Sequence, residues 1–194
     1  LWVGAPKAIN TNFDLPGAQL QSMWSYRAGK QRVGAIYGYD GSDLAANDTA
    51  PSHSLFGAFA NGEFGGSLAW MSHAEQLAIG APKANKTGQV VLWNLAEGYQ
   101  LLGGIKANER FGAVLAANDK TAQLAIGAPF SANGKLAKAG RVDVYALTGA
   151  EFELVDQWQG GEKAAEFGSS LGWLQNDVLA VGSPKAVNPT TTKA

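Results

Sequence analysis

Short segments of the chain alternate between apolar and polar residues, and no amphipathic helical stretch competes with them. Residues 140–145 read GRVDVY, so that the two valines fall on one side and Arg141 and Asp143 on the other. A period of two is the side-chain period of a β-strand. The pattern predicts a strand whose valines face a core and whose charged residues point outward. Segments of the same kind read GAIYGY at 34–39 and GQVVLW at 88–93.

A six-residue segment recurs along the chain and marks a repeat. A Phe-Gly pair precedes three of its copies, at a distance that is constant to within one residue. The pairs begin at Phe64, Phe111 and Phe167. They recur about every 50 residues, a period typical of propellers and solenoids. The segment itself reads LWVGAP at 1–6, LAIGAP at 77–82, LAIGAP at 124–129 and LAVGSP at 179–184.

Each repeat supplies four predicted strands, and four-stranded sheets repeated around an axis are the blades of a β-propeller. The predicted fold class is therefore all-β, a single propeller segment over residues 1–194 that forms an arc of about four blades. A closed ring takes roughly four to eight blades, so we expect a fragment of a longer chain, or a ring closed by oligomerisation. The predicted boundaries are 1–60 and 167–194 for two partial blades, and 64–106 and 111–160 for two complete blades.

The residues of the repeated motifs are predicted to be architectural. Each Phe delivers a large apolar side chain once per blade, and the Gly after it lets neighbouring backbone approach closely. Each Pro ends a strand because it cannot donate to the ladder. Trp70 and Trp173 follow two of the Phe-Gly pairs at the same distance and are assigned to repeated packing, with a ligand platform as the alternative. The motif residues are Phe64, Gly65, Gly80, Pro82, Phe111, Gly112, Gly127, Pro129, Phe167, Gly168, Gly182 and Pro184.

Charge and composition argue against several classes of function. The net charge of -1 leaves no basic footprint for nucleic acid. No apolar run reaches the ~18 residues of a membrane span, so no membrane insertion is expected. The chain has no cysteine, which removes disulfides, thiolate nucleophiles and cysteine-type zinc sites. His53 and His73 lack the HExxH spacing and Gly-x-Ser-x-Gly is absent, so we predict no catalytic residue and no cofactor in this chain.

Phe-Gly, Leu-Ala-Ile-Gly-Ala-Pro and Gly-x-Val-x-Val-Tyr together resemble the FG-GAP repeat of the integrin α-subunit N-terminal propeller, over essentially the whole chain. The resemblance implies a seven-bladed, secreted or extracellular ring whose partner is another protein or the remainder of its own chain. Within that family the chain is most similar to the C-terminal propeller of glycosylphosphatidylinositol-specific phospholipases D. Those enzymes keep zinc-dependent catalysis in a separate N-terminal domain, so the resemblance leaves open whether the parent protein is an enzyme. The similarity lies in FGSSL at 167–171, VGSP at 181–184 and YGY at 37–39.

The FG-GAP family often has a calcium loop between Phe-Gly and Gly-Ala-Pro, because a hard cation needs several oxygen ligands on a tight turn. No such span here offers three carboxylates. Asn118 and Asp119 are the nearest remnant, and Lys120 beside them adds a positive charge. We therefore expect a solvated turn there and assign no calcium ligand.

Two sequons, at Asn47 and Asn85, fall in predicted loops and are candidate N-glycosylation sites. They agree with the extracellular or secretory location that the resemblance implies. The resulting hypothesis is a non-catalytic binding or scaffold module of the phospholipase D-like type. The alternatives are an integrin-α-like adhesion module and a structural subunit of an extracellular assembly. A zinc domain upstream, or a string of β-sandwich domains downstream, would separate these hypotheses.

Overall fold

The computed structural model describes residues 2–5, 32–39, 51, 53–94 and 98–188, and its strands form four antiparallel sheets. Within each sheet every strand pairs with its neighbour in sequence. The first sheet contains β1 (Trp2–Ala5), β2 (Ala35–Gly38) and β3 (His53–Phe56). The second contains β4 (Ser67–Met71), β5 (Gln76–Ala81), β6 (Gln89–Asn94) and β7 (Gly98–Gly103). The third contains β8 (Val114–Asn118), β9 (Gln123–Ala128), β10 (Arg141–Thr148) and β11 (Glu151–Gln159), and the fourth contains β12 (Ser170–Trp173) and β13 (Leu179–Gly182).

The predicted all-β class is confirmed, with two antiparallel four-stranded sheets at its centre. The helical turns in the described ranges are two short 3-10 segments, Ala84–Lys86 and Gln175–Asp177. None of the helices in this part of the chain has the length and apolar character to cross a membrane. Strands β5, β9 and β13 end at or just before the residue that leads into Pro82, Pro129 and Pro184.

The sheets stack face to face, and the third sheet is covered on both sides. On one face, Ile126 packs in a cluster with Leu92 of the second sheet and with Phe111. On the other face, Val142 packs in a cluster with Leu171 of the fourth sheet. The first strands of successive sheets lie side by side, since β4 packs against β8 and β8 packs against β12. This convergence of the first strands is compatible with an arc of a β-propeller.

The predicted outward orientation of Arg141 and Asp143 is wrong. The exposed fraction of Arg141 is 1% and that of Asp143 is 2%. Alternation along β10 does separate these residues from Val142 and Val144. However, both faces of the third sheet lie between other sheets, so the period of two distinguishes two interiors rather than an interior and a surface.

The packing role assigned to Trp70 is also wrong, because 51% of this side chain is exposed. Trp173 is half-buried, and its Nε1 donates to the Ala116 carbonyl oxygen at 3.1 Å. Both tryptophans stand at the same register position, opposite the first Leu of the recurring segment. Trp173 has β8 of the third sheet beside it. Among the described residues, the first sheet has no strand in the place that corresponds to β8, which leaves Trp70 uncovered.

Candidate binding surface

The Phe-Gly pairs join each sheet to the next. Gly34, Gly88 and Gly140, which open the third-strand segments, form isolated parallel bridges to Phe64, Phe111 and Phe167. The following glycine then bonds to the second strand of its own sheet. The backbone nitrogens of Gly65, Gly112 and Gly168 donate to the carbonyl oxygens of Gly80, Gly127 and Gly182 at 2.9, 3.1 and 3.0 Å, respectively. The same joint is therefore built three times.

Gly112 shows why these positions require glycine. Its φ is +83°, in the left-handed region that strains other residues, and a Cβ there would lie 2.7 Å from the Gln89 carbonyl oxygen. A Cβ on Gly80 would in turn collide with the Gly112 carbonyl oxygen. Glycine on both sides of the joint therefore lets the two backbones meet.

The joint between the second and third sheets encloses a buried ion cluster. Arg141 Nη1 donates to Glu109 Oε2 at 2.6 Å, and its Nη2 donates to Glu109 Oε1 at 3.1 Å. Arg141 Nε donates to Asp143 Oδ1 at 2.9 Å. Ser131 Oγ donates to Glu109 Oε2 at 3.2 Å, and Gln157 Nε2 donates to Asp143 Oδ1 at 2.9 Å. Every charge in the cluster thus has a partner, which is the condition for burying it.

Burial and pairing act against each other on the pKa values of this cluster. Burial raises the pKa of the Asp143 carboxyl, and the adjacent Arg141 guanidinium does not fully offset the rise. Burial alone would lower the pKa of Arg141, but the carboxylates of Asp143 and Glu109 outweigh it and raise that pKa. Burial also raises the pKa of the nearby Tyr145 hydroxyl. The charged groups of Glu109, Arg141 and Asp143 are buried and paired with one another, so their role is to fill the joint.

The antiparallel order places the loops at two opposite ends of the sheets. The turn end carries the short turns at 72–75, 119–122, 149–150 and 174–178. The connection end carries residues 32–34 and the segments 57–66, 82–88, 104–113, 129–140, 160–169 and 183–188, which link strands within and between sheets. These two ends are the surfaces on which the candidate residues lie.

Asn118 and Asp119, the candidate calcium remnant, lie at the turn end and bond to the turns on either side. Asp119 Oδ1 accepts from the Ser72 backbone nitrogen at 2.8 Å. Asn118 Nδ2 donates to Asp177 Oδ1 at 3.3 Å, and Lys120 Nζ lies 3.4 Å from Asp177 Oδ2. Among the described residues, no three His, Asp or Glu side chains come together as a metal site. This turn therefore bridges the second, third and fourth sheets.

Three equivalent side-chain pairs fix the connection end. Glu63 pairs with Lys83 at 2.6 Å, and Glu166 pairs with Lys185 at 2.6 Å. In the intervening repeat, the Arg110 guanidinium lies over the Phe130 ring, 4.5 Å from its centroid. Each pair ties the residue before a Phe-Gly pair to the residue after the recurring Pro. Successive connections are thus tied at the same two positions, twice by an ion pair and once by a cation–π contact.

The loop at 129–140 rests on the connections beside it. Lys106 Nζ donates to the Ala132 carbonyl oxygen at 2.7 Å, and Asn133 Nδ2 donates to the Gly160 carbonyl oxygen at 3.0 Å. A small reciprocal turn, with two backbone hydrogen bonds between Asn133 and Leu136, shapes its tip. The loop is therefore held against the connections on both sides of it.

The other candidate residues are separated. Asn85 is exposed in the 3-10 turn at Ala84–Lys86 with a φ of 48°, whereas Asn47 lies outside the described residues. His53 lies on β3 and His73 in the turn after β4. Among the described residues, neither histidine belongs to a group of three His, Asp or Glu side chains that could hold a metal ion.

The chain is an all-β protein in which repeated antiparallel sheets are joined at Phe-Gly pairs. No family model matches it, and no curated protein matches it significantly.

The sequence alone does not show that charge is separated between the two ends. The overall charge of -1 conceals it, because basic and acidic residues cancel in the sum. A signal was nevertheless present. Arg32, Lys86 and Lys138 each stand two residues before the glycine that opens a third-strand segment, so the repeat itself places a basic residue at the connection end.

Proposed function

We propose that the chain is an arc of an FG-GAP-type β-propeller that serves as a non-catalytic binding scaffold. The joint that connects successive sheets supports this proposal. The Phe-Gly pair meets the third-strand glycine in three successive repeats with the same backbone contacts. Repetition of one joint at a fixed place in each sheet is the local requirement for a ring of blades.

The connection end supports a binding role for this scaffold. Its loops are held by the Glu63–Lys83 and Glu166–Lys185 ion pairs and by the hydrogen bonds from Lys106 and Asn133. Loops fixed on a rigid framework are the usual place for recognition. A surface that is already ordered also loses less conformational entropy when a partner binds.

The more specific proposal is a propeller like the C-terminal one of glycosylphosphatidylinositol-specific phospholipases D, in an extracellular protein glycosylated at Asn47 and Asn85. Its support is the sequence FGSSL at 167–171 and VGSP at 181–184. In this proposal any hydrolase activity belongs to another domain of the parent protein. The alternatives are an integrin-α-like adhesion module and a structural subunit of an extracellular assembly, and the domains that flank this chain would decide among the three.

Site-specific photo-crosslinking in the full-length protein tests the binding role. A photoreactive residue replaces Lys135, which is exposed in the loop at 129–140 of the connection end, or Thr148, which is exposed beside the turn end and serves as the control. A scaffold predicts one reproducible crosslinked product from position 135, either with a partner protein or with another segment of the same chain. Equal, diffuse labelling from both positions would contradict the proposal.

A further inference from the structure

The two ends of the sheets differ in charge. Among the described residues, the connection end has nine basic side chains and four carboxylates. In the described turns of the opposite end, the acidic residues Glu75, Asp119 and Asp177 outnumber Lys120. The basic residues of the connection end are Arg32, Lys83, Lys86, Lys106, Arg110, Lys135, Lys138, Lys163 and Lys185.

Most of these nine basic groups have no acidic partner among the described residues. Of the nine, Lys83 and Lys185 are the ones that form ion pairs in that part of the chain. Six exposed cations have no carboxylate within ion-pair distance among the described residues. They are Arg32, Lys86, Lys106, Lys135, Lys138 and Lys163. Like charges gathered on one surface repel one another, and an anionic partner relieves that repulsion.

We propose that the connection end docks an acidic polypeptide segment that also carries apolar side chains. This inference rests on the proposed scaffold function and names the chemistry of its partner. The unpaired cations supply electrostatic attraction and orientation, while exposed apolar side chains between them supply contact area.

Exposed apolar residues at this end favour a polypeptide over a polysaccharide or a nucleic acid. Ile105 is 69% exposed next to Lys106, Val187 is 67% exposed two residues after Lys185, and Phe59 is 38% exposed. Apolar side chains of a partner would bury this surface and gain from its removal from water. A sulfated sugar or a phosphate backbone would leave it exposed.

The distribution of carboxylates favours a polypeptide over an anionic bilayer. Glu63 and Glu166 lie among the cations, and both Glu162 carboxylate oxygens accept from the Val187 backbone nitrogen at 3.1 and 3.0 Å. A uniformly negative membrane would meet these carboxylates wherever it met the lysines. A peptide chain can place its acidic side chains opposite Lys135 and Lys163 and avoid the glutamates.

Fluorescence anisotropy with the full-length protein tests the proposal. The probe is a labelled synthetic peptide that repeats Glu-Glu-Leu, and the variant is Lys135→Glu combined with Lys163→Glu. These two residues are exposed, lack positive φ and make no ion pair among the described residues, so the exchange spares the fold. Lys120→Glu makes the same kind of charge reversal at the turn end and is the control.

We expect the double variant to bind the peptide at least about tenfold more weakly, and Lys120→Glu to differ from wild type by less than about twofold. Added salt should weaken wild-type binding, since the attraction is between exposed charges. A Glu-Glu-Ser peptide should bind more weakly than Glu-Glu-Leu. The proposal is overturned by equal binding of both variants, by equal binding of both peptides, or by tighter binding to heparin or to phosphatidylserine vesicles.

Failure of this inference is distinguishable from failure of the scaffold function. If the peptide does not bind but position 135 still crosslinks to one product, the scaffold function stands and the partner has another chemistry. If position 135 also gives only diffuse labelling, the scaffold function fails with it.

Discussion

Two joints between successive sheets have the same backbone contacts but are filled by different side chains. The joint between the first and second sheets has Gly62, Ala84, Gln89 and Val91 around a small cavity. The corresponding positions in the next joint are Glu109, Ser131, Arg141 and Asp143, the buried ion cluster. In both joints the same glycines make the same backbone contacts. The Phe-Gly contacts therefore set the geometry of both joints, and different side chains can fill the space inside.

The ion cluster is therefore expected to add little net stability, although removing one of its members should destabilise the protein strongly. A buried ion pair gains Coulomb energy but loses the hydration of both charges, so apolar side chains of similar volume often serve equally well. Removing one partner alone leaves the others buried without compensation. Removing one member of the cluster is therefore expected to destabilise the protein more than replacing the whole cluster.

Gly112→Ala should have the largest effect on stability, because the added Cβ disrupts backbone contacts that both joints have in common. The added Cβ would lie 2.7 Å from a carbonyl oxygen at a φ of +83°. We expect a loss of about 4 kcal/mol or more in unfolding free energy, or failure to fold, and a similar result for Gly65→Ala in the other joint. Gly103→Ala is the control, since nothing lies within 4 Å of its Cβ. Urea denaturation measures the stability of all three variants. A loss from Gly112→Ala as small as that from Gly103→Ala would contradict the role assigned to the backbone contacts.

Glu109→Ala should lower the unfolding free energy by about 3–5 kcal/mol, because it leaves Arg141 buried beside one carboxylate. Glu63→Ala, which removes a carboxylate from an exposed pair in the equivalent connection, should cost less than about 1 kcal/mol. Denaturant titration of the two variants gives the contrast. Equal losses would show that burial does not distinguish the two joints.

Replacing the whole ion cluster by the residues of the first joint should destabilise the protein less than removing Glu109 alone. The variant Glu109→Gly, Ser131→Ala, Arg141→Gln and Asp143→Val copies the first joint into the second. We expect its unfolding free energy to stay within about 2 kcal/mol of wild type. A loss greater than that of Glu109→Ala, in the same titration, would mean that the two joints are not interchangeable.

The smallest expected effect is a pH dependence from Asp143. Its pKa is raised in the folded protein, so its contribution to stability is fully present below its ordinary pKa of about 3.8 and is lost as the pH rises through the raised value. The difference in unfolding free energy between wild type and Asp143→Asn should therefore shift against wild type as the pH rises from the acid range to neutrality. Denaturation at several pH values measures it, and a shift in favour of wild type would contradict the assignment.

Repetition made the strands predictable from the sequence, but it did not reveal what lies on each side of them. The alternation in GRVDVY correctly indicates β10, yet it does not show that Arg141 faces another sheet, because that depends on how whole sheets stack. Trp70 and Trp173 look alike along the chain and differ only through the neighbour that each one meets.

The basic character of the connection end could not be predicted from the sequence for a related reason. Its basic side chains come from six separate segments, and only the topology assembles them on one surface. The recurrence of Arg32, Lys86 and Lys138 before the third-strand glycines is the part of that surface that the sequence does show.

A structure of the full-length polypeptide, determined by cryo-electron microscopy or crystallography, would show directly whether the sheets form a propeller. We expect four-stranded sheets arranged around a common axis, with β4, β8 and β12 lining the inside and each sheet joined to the next at a Phe-Gly pair. Sheets that stack in an open array without a common axis would contradict it.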